Sequence, residues 1–252
     1  MKKTLLFACC VVAMISCSNN TKTKKQQETG DSVAAIPNET TQMVQDSLDY
    51  VNFTTPDLML FNVKGHVKEV DYDEVAPCVI TFDENGLVSS CPCYDEDLDF
   101  TFKDGKAIGK NFSSKRNAKN QLTRYAYEPN IRENYWYLDV YEMTYNDKGQ
   151  VKTIEHGGWE TDSKQTFTYN AEGLCTQIVH DYGIEATSGV RTITYTYTKF
   201  DSHGNWTERN AKTHEEETNE WKDDGTPIKK VNDWESVEKR SITYYPYKKS
   251  KD

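Results

Sequence analysis

A short unit recurs along the chain: an aromatic residue, then usually Asp or Asn, two variable residues, and Gly. Its copies are Phe61–Gly65, Phe82–Gly86, Tyr145–Gly149, Tyr169–Gly173, Phe200–Gly204, Trp221–Gly225 and, one residue shorter, Phe102–Gly105. An Asp or Asn side chain can accept bonds from the amides of a tight turn, and Gly adopts the left-handed conformation that returns the chain into a strand through a bulge. The aromatic residue can pack across the new strand pair. Each copy therefore predicts one β-hairpin.

The spacing of the units predicts the strand number. Their glycines are separated by 21, 19, 44, 24, 31 and 21 residues, so the long interval should hide a degenerate hairpin. Tyr127-Glu128-Pro129-Asn130 lies near its middle, and Pro-Asn favours a turn. Segments such as Thr192–Tyr197 alternate with the period of two that a sheet requires. We predict an all-β antiparallel meander of about fourteen to sixteen short strands.

The shape of this predicted sheet follows from its components. Strands twist and glycine bulges add to the twist, so the meander should curl. The sequence leaves two alternatives open: a curved open sheet, or a sheet that closes.

The N-terminus has the features of a secretory signal. Two lysines follow Met1, an apolar run extends from Leu5 to Ile15, and Ser16 precedes Cys17. The stretch Met14–Cys17 resembles a bacterial lipobox, which implies cleavage before Cys17 and lipid on its thiol. The apolar run is much shorter than the about 20 residues of a membrane span. We predict a signal peptide at 1–16 and a protein held by lipid in the bacterial cell envelope, at the outer membrane.

The rest of the chain divides into a tether, a domain and a tail. Residues 18–50 are polar and contain too few apolar side chains to offset the entropy of ordering them. We therefore predict a flexible lipidated linker at 17–55, a β domain at 56–247 and a disordered tail at 248–252. Within the linker, the spacing of Met43, Val44 and Leu48 is compatible with a short helix.

The clearest units, Tyr145–Gly149, Tyr169–Gly173 and Phe200–Trp206, resemble the tyrosine-aspartate (YD) repeats of the RHS family. The resemblance covers about residues 60–245. It implies a curling antiparallel sheet in a small lipoprotein. The large members of that family enclose a toxin, but this chain is too short to enclose another domain, so toxin delivery is not implied.

Charge and cysteine content narrow the partners. The formal net charge is −10 and becomes −12 without the two lysines of residues 1–16, which argues against nucleic acid and anionic headgroups as partners. In an oxidising compartment disulfides can form. Cys78 lies almost symmetrically with both Cys91 and Cys93 about the turn at Asp83–Gly86. We predict one cross-strand disulfide from Cys78 to one of these two cysteines.

No motif for catalysis or metal binding is found. The acidic run Asp95–Asp99 has Phe100 and Lys106 where a calcium loop has Gly and Glu, so it predicts a solvated turn. Four histidines have no ligand spacing and are predicted to lie in turns or on the surface: His156, His180, His203 and His214. We expect no cofactor, no metal and no catalytic residue.

The tryptophans allow two interpretations. Five are found among polar residues: Trp136, Trp159, Trp206, Trp221 and Trp234. Exposed aromatic rings on a sheet can stack on sugars or anchor a protein partner, whereas buried rings would fill gaps in a thin core.

Three functions are compatible with these features. The first is a non-enzymatic, membrane-tethered binding or scaffolding lipoprotein that contacts an envelope protein or glycan. The second is a glycan or small-ligand binder that uses exposed aromatic residues, which an aromatic-lined groove with convergent polar groups would support. The third is a hydrolase, which two facing carboxylates or a perturbed histidine would support.

Overall fold

Antiparallel strands make up most of the described chain. A computed structural model describes residues 48–73, 78–90, 100–103, 106–109, 111–128, 139–158, 160–185, 187–221, 223–224 and 226–247. The predictions for the signal peptide, for lipid on Cys17 and for the tail lie outside these ranges. So do those for the acidic run, Cys91, Cys93, Trp136 and Trp159. None of the helices in the described ranges is both long enough and apolar enough to cross a membrane.

Two short helices precede fourteen strands in these ranges. Helix α1 covers 48–52 and helix α2 covers Pro56–Leu60. The strands are β1 Val67–Tyr72, β2 Cys78–Phe82, β3 Val88–Ser90, β4 Phe100–Lys103, β5 Lys106–Gly109, β6 Phe112–Arg116, β7 Leu122–Tyr127, β8 Asp139–Tyr145, β9 Val151–Gly158, β10 Thr161–Tyr169, β11 Cys175–Ile184, β12 Thr187–Phe200, β13 Trp206–Trp221 and β14 Pro227–Tyr244. The predicted all-β class and antiparallel meander are confirmed.

Twelve of the strands form one sheet in the order β3-β2-β1-β14-β13-β12-β11-β10-β9-β8-β7-β6, while β4 and β5 pair only with each other. From β6 to β14 the chain is a meander, and β1 then pairs with the far side of β14. The sheet is not closed, because β3 and β6 are its two ends.

A single side chain shows how far the sheet curls. Asp57, in helix α2, accepts a hydrogen bond from the backbone N–H of Val88 in β3 at 2.9 Å. The same carboxylate accepts two bonds from the Arg116 guanidinium in β6, at 2.5 and 2.8 Å. Both ends of the sheet therefore lie within reach of one residue, and the concave face wraps around α2.

Five hairpin turns share one geometry. They are Asp83–Gly86, Asn117–Asn120, Asn146–Gly149, Asn170–Gly173 and Asp201–Gly204. In each, the N–H of the fourth residue donates to the carbonyl of the first, and the first side chain accepts from the amide that follows the turn. The fourth residue has a left-handed φ between 60° and 87°. The predicted Asx–glycine mechanism is confirmed.

One turn prediction needs correction. Phe61–Gly65 is not a hairpin: Phe61 caps helix α2, and the Gly65 amide donates to Phe53 instead of closing a turn. The long interval between Gly105 and Gly149 also contains a turn that the repeat pattern did not predict, Asn117–Asn120, in which Asn120 takes the glycine position at φ 60°. The predicted turn at Pro129-Asn130 falls between the paired strands β7 and β8, but these two residues lie outside the described ranges.

The remaining two units join paired strands. Lys103 is opposite Lys106, so a two-residue loop joins β4 to β5, as the Asp-Gly pair predicts. Trp221 is opposite Pro227 at the end of β13 and β14. This hairpin points away from the five shared turns, since β13 begins at one of them.

Candidate functional site

Four polar side chains form a continuous row across the concave face. Gln165 in β10 is directly opposite His180 in β11, His180 is opposite Arg191 in β12, and Arg191 is opposite Glu215 in β13. Directly opposed residues of an antiparallel ladder share one face. Gln165 is also opposite Ile154, a core residue only 2% exposed. These four residues, here called the polar row, therefore face the inside of the curl.

An apolar row lies next to the polar row on the same face of the sheet. Two positions nearer the shared turns, Phe167 is opposite Ile178, and Ile178 is opposite Ile193. All three side chains are buried in the main core. The polar row thus lies directly beside closely packed core side chains, which fix the backbone positions of its strands.

Gln165 and His180 have unused hydrogen-bonding groups. Gln165 is 1% exposed, and within the described part of the chain neither its amide oxygen nor its amide nitrogen has a partner. Both ring nitrogens of His180 are also buried without a partner among the described residues. An unsatisfied buried polar group costs about 1–3 kcal/mol of stability. Such a cost marks these two side chains as candidates for binding something else.

Burial also fixes the charge of His180. Desolvation, assisted by the nearby Arg191 cation, lowers the pKa of His180 to about 4. The imidazole is therefore neutral at pH 7. In that form it offers one hydrogen-bond donor and one acceptor.

The charged members of the polar row satisfy each other. Arg191 donates two hydrogen bonds to one oxygen of Glu215, at 2.9 and 2.6 Å. The Tyr182 hydroxyl donates to that same oxygen at 3.0 Å. The Arg191 guanidinium lies 5.7 Å from the ring centres of both Tyr182 and Trp234. This side of the row therefore combines a neutralised ion pair with two aromatic rings.

A second buried pair lies on the β8 and β9 side. His156 Nε2 is 2.7 Å from Asp139 Oδ1, and the imidazole stacks on Tyr141 with ring centres 4.4 Å apart. Ser163 is opposite His156 in the ladder, so a serine, a histidine and an aspartate lie near one another. However, the imidazole is turned toward β8, away from the strand that carries Ser163. The described contacts contain no bond from this serine to the histidine, as a nucleophile and base would require.

The histidine prediction is therefore only half right. His203 lies in a turn and His214 is exposed, as expected. His156 is buried and paired, and His180 has buried nitrogens. Their polar sequence neighbours face the convex side of the strands, which is why the local sequence indicated a surface position.

An open depression lies just beyond the polar row. Gly158 and Thr161 are opposite each other, one inward-facing pair further from the turns than His156 and Ser163. Together with Glu160, Asp162, Gly183 and Glu185, they line a volume of about 790 Å³. Asp162 and Gly183 are opposite each other and face the convex side, so this depression, here called the mouth, lies at the rim of the sheet and opens to both faces. Its lining residues include three carboxylates and no cation.

The structure separates the remaining tryptophans. Trp206 is 2% exposed, and the guanidinium carbons of Arg240 and Arg209 lie 3.8 and 4.3 Å from its ring centre. It therefore fills the core and is not presented to a partner. Trp221 is 48% exposed at the far end of β13, so it is accessible but separate from the polar row. Trp234 borders the row through Arg191.

No metal centre is found in the described ranges, where no three His, Cys, Asp or Glu side chains are grouped to hold an ion. Comparison with known proteins adds no family: no protein-family model matches the chain, and no curated protein matches its sequence.

Proposed function

We propose that the chain is a membrane-tethered binding protein of the bacterial cell envelope, anchored through lipid on Cys17. Its partner, an envelope protein or glycan, contacts the concave face of the curled sheet. The observation that carries this proposal is the set of unpaired buried polar atoms on Gln165 and His180, held above a packed core. Binding sites typically combine apolar walls with a few fixed polar groups.

Binding fits the polar row better than catalysis does. Among the residues that the structure describes, no carboxylate bonds to His180 and orients it, and its lowered pKa makes it a weak base at pH 7. Asp139 occupies a nitrogen of His156, with no described bond from that ring to Ser163. The predicted tether also suits a binder, because about 35 residues of flexible chain would reach tens of ångströms from a membrane.

Site-specific photocrosslinking tests the proposed binding face. A photoreactive phenylalanine analogue is placed at Thr161, which lines the depression, or at Thr166 on the exposed convex face of the same strand. We expect the lipoprotein in its native envelope to form a defined adduct from position 161 and none from position 166. Equal adducts at the two positions, or none at 161, would contradict the proposal.

A further inference from the structure

We infer that the polar row and the aromatic rings beside it bind a neutral, polyhydroxylated ligand, namely a saccharide. This inference rests on the proposed binding function and names the ligand class for the same face. Three properties of the site carry it: its unpaired groups, its internally cancelled charges and its aromatic borders.

The unpaired groups match hydroxyls. The Gln165 amide offers donors and an acceptor, and the neutral His180 ring offers one of each. Strand β14 carries two further donors without a partner among the described residues, on the same face of the sheet. They are the indole N–H of Trp234 and the hydroxyl of Ser236. A sugar hydroxyl both donates and accepts, so it can satisfy each of these groups without carrying charge.

The charges at the site oppose an ionic ligand. Arg191 already donates to Glu215, and His156 is already bonded to Asp139. The mouth adds three carboxylates, on Glu160, Asp162 and Glu185, which repel phosphate and carboxylate ligands. A free ammonium would meet no unpaired carboxylate in the polar row itself.

Aromatic rings border the row beside Arg191. The Tyr182 ring centre lies 5.4 Å from that of His180, and the ring centre of Trp234 lies 5.7 Å from the Arg191 guanidinium. The ladder partners of Tyr182 are the small residues Ser163 and Gly189. The apolar face of a pyranose ring packs on such aromatic faces. The Arg191 side chain is 27% exposed, so a ligand approaches the row from this side.

The test uses the full-length chain in a detergent without a sugar headgroup. Calorimetric titration is carried out with glucose, galactose, mannose, N-acetylglucosamine, cellotetraose, maltotetraose and chitotetraose. Inorganic phosphate and glutamate serve as charged probes. We expect at least one saccharide to bind and both charged probes to give no heat. If the tetrasaccharides bind more than tenfold more tightly than the monosaccharides, the natural ligand is a glycan chain and not a free sugar.

Two variants separate ligand binding from folding. Gln165→Leu removes the unpaired amide at similar volume, so we expect at least tenfold weaker saccharide binding with an unchanged or higher melting temperature. Gln177→Leu makes the same change on the convex face and should leave affinity unchanged. A lower melting temperature for Gln165→Leu would show that the amide is a structural group satisfied by ordered water, which would overturn the inference.

The outcomes distinguish this inference from the proposed function. If no saccharide binds but position 161 still crosslinks to an envelope protein, the ligand class is wrong and the proposed function stands. If phosphate or glutamate binds and Gln165→Leu abolishes that binding, the ligand class is again wrong. If nothing binds and position 161 gives no adduct, both are wrong.

Discussion

At the scale of single residues, the left-handed glycines should be the least replaceable positions on the surface. Gly173 has φ 87°, and an added Cβ would lie 3.1 Å from the Gln150 amide nitrogen. We expect Gly173→Val to lower the free energy of unfolding by about 1–3 kcal/mol, because a β-branched residue is strained there. Gly157 is the matched control, since it lies in strand β9 and nothing is within 4 Å of its added Cβ. Equal losses for Gly157→Val and Gly173→Val in urea titrations would contradict the turn mechanism.

His180 should make stability depend on pH in a defined window. Its pKa is lowered to about 4 by burial, whereas an unfolded histidine titrates near 6.5. Between these values the unfolded state binds a proton that the folded state does not. His180 should therefore make its full contribution to stability above pH 6.5. As the pH is lowered toward 4, the free energy of unfolding should fall by on the order of 2–3 kcal/mol.

The pH prediction is checked by comparing unfolding of the wild type and His180→Phe from pH 4 to 8. The variant should lose this part of the pH slope. His214 provides a contrast of opposite sign, because its hydrogen bond to Asp233 raises its pKa. An unchanged slope in His180→Phe would show that the imidazole is not buried as described.

Residue identity predicted the turns better than it predicted the candidate site. Asp83, Asn146, Asn170 and Asp201 act within a few residues of themselves, so their local sequence is enough to assign them. Gln165, His180, Arg191 and Glu215 come from four strands, and their meeting depends on ladder register. A shift of one residue would turn each side chain to the other face. No local pattern reports that register, and the bulges that set it lie elsewhere in each strand.

At the scale of elements, helix α2 should fasten the two ends of the sheet. Asp57 is 1% exposed, and without it the Arg116 side chain, which is 12% exposed, would lose the carboxylate that neutralises its charge. We expect Asp57→Ala to lower the free energy of unfolding by about 3–5 kcal/mol. In hydrogen exchange, amide protection should be lost first in β3 and β6, because these strands have no ladder partner in the sheet on their outer sides.

An exposed ion pair is the control for the buried pair of Asp57 and Arg116. Glu155 lies 2.7 Å from Lys164, and its side chain is 52% exposed. Glu155→Ala should cost no more than about 1 kcal/mol, because exposed pairs are solvated and screened. Uniform protection loss across all strands in Asp57→Ala would contradict a local role at the sheet ends.

The disulfide prediction keeps both of its alternative partners. Thr81 is opposite Ser90, the last residue of β3, and Cys91 and Cys93 lie outside the described residues. The denatured mature protein should show two free thiols, on Cys175 and on whichever of Cys91 and Cys93 is not bridged to Cys78. Cys91→Ser and Cys93→Ser identify the partner, because only the change at the bridged cysteine frees the thiol of Cys78. Four free thiols in the parent chain would exclude the bridge.

The misassigned elements have physical explanations. Phe61–Gly65 carries the repeat pattern, but Pro56 and the Thr55 cap begin a helix directly before it, so no strand enters the turn. Asn117–Asn120 escaped notice because asparagine, and not glycine, takes the left-handed position. Phe53 and Thr55, placed in the linker by composition, already contact the domain through His66 and Gly86. The boundary at residue 56 otherwise stays a prediction.

At the scale of the whole molecule, the location prediction depends on one thiol. Cys17→Ser should move the protein from the membrane fraction to the soluble fraction, because lipid on that thiol is the proposed anchor. Fractionation at high salt checks this, and a salt wash that leaves the variant membrane-bound would point to another anchor. The wild type, retained under the same wash, is the control.

The pairing of β1 with β14 has a consequence for how the protein is made. Val67 lies opposite Tyr244, so the first strand finds its partner 177 residues later in the chain. β14 is the last of the described strands to be synthesised, and contacts of such long sequence separation form slowly. Until β14 pairs, the nascent chain exposes open backbone edges on β1 and β13, which invite pairing with other chains. Partly synthesised chains without β14 should therefore be the most prone to associate, since only a chain that includes β14 can cover both edges at once.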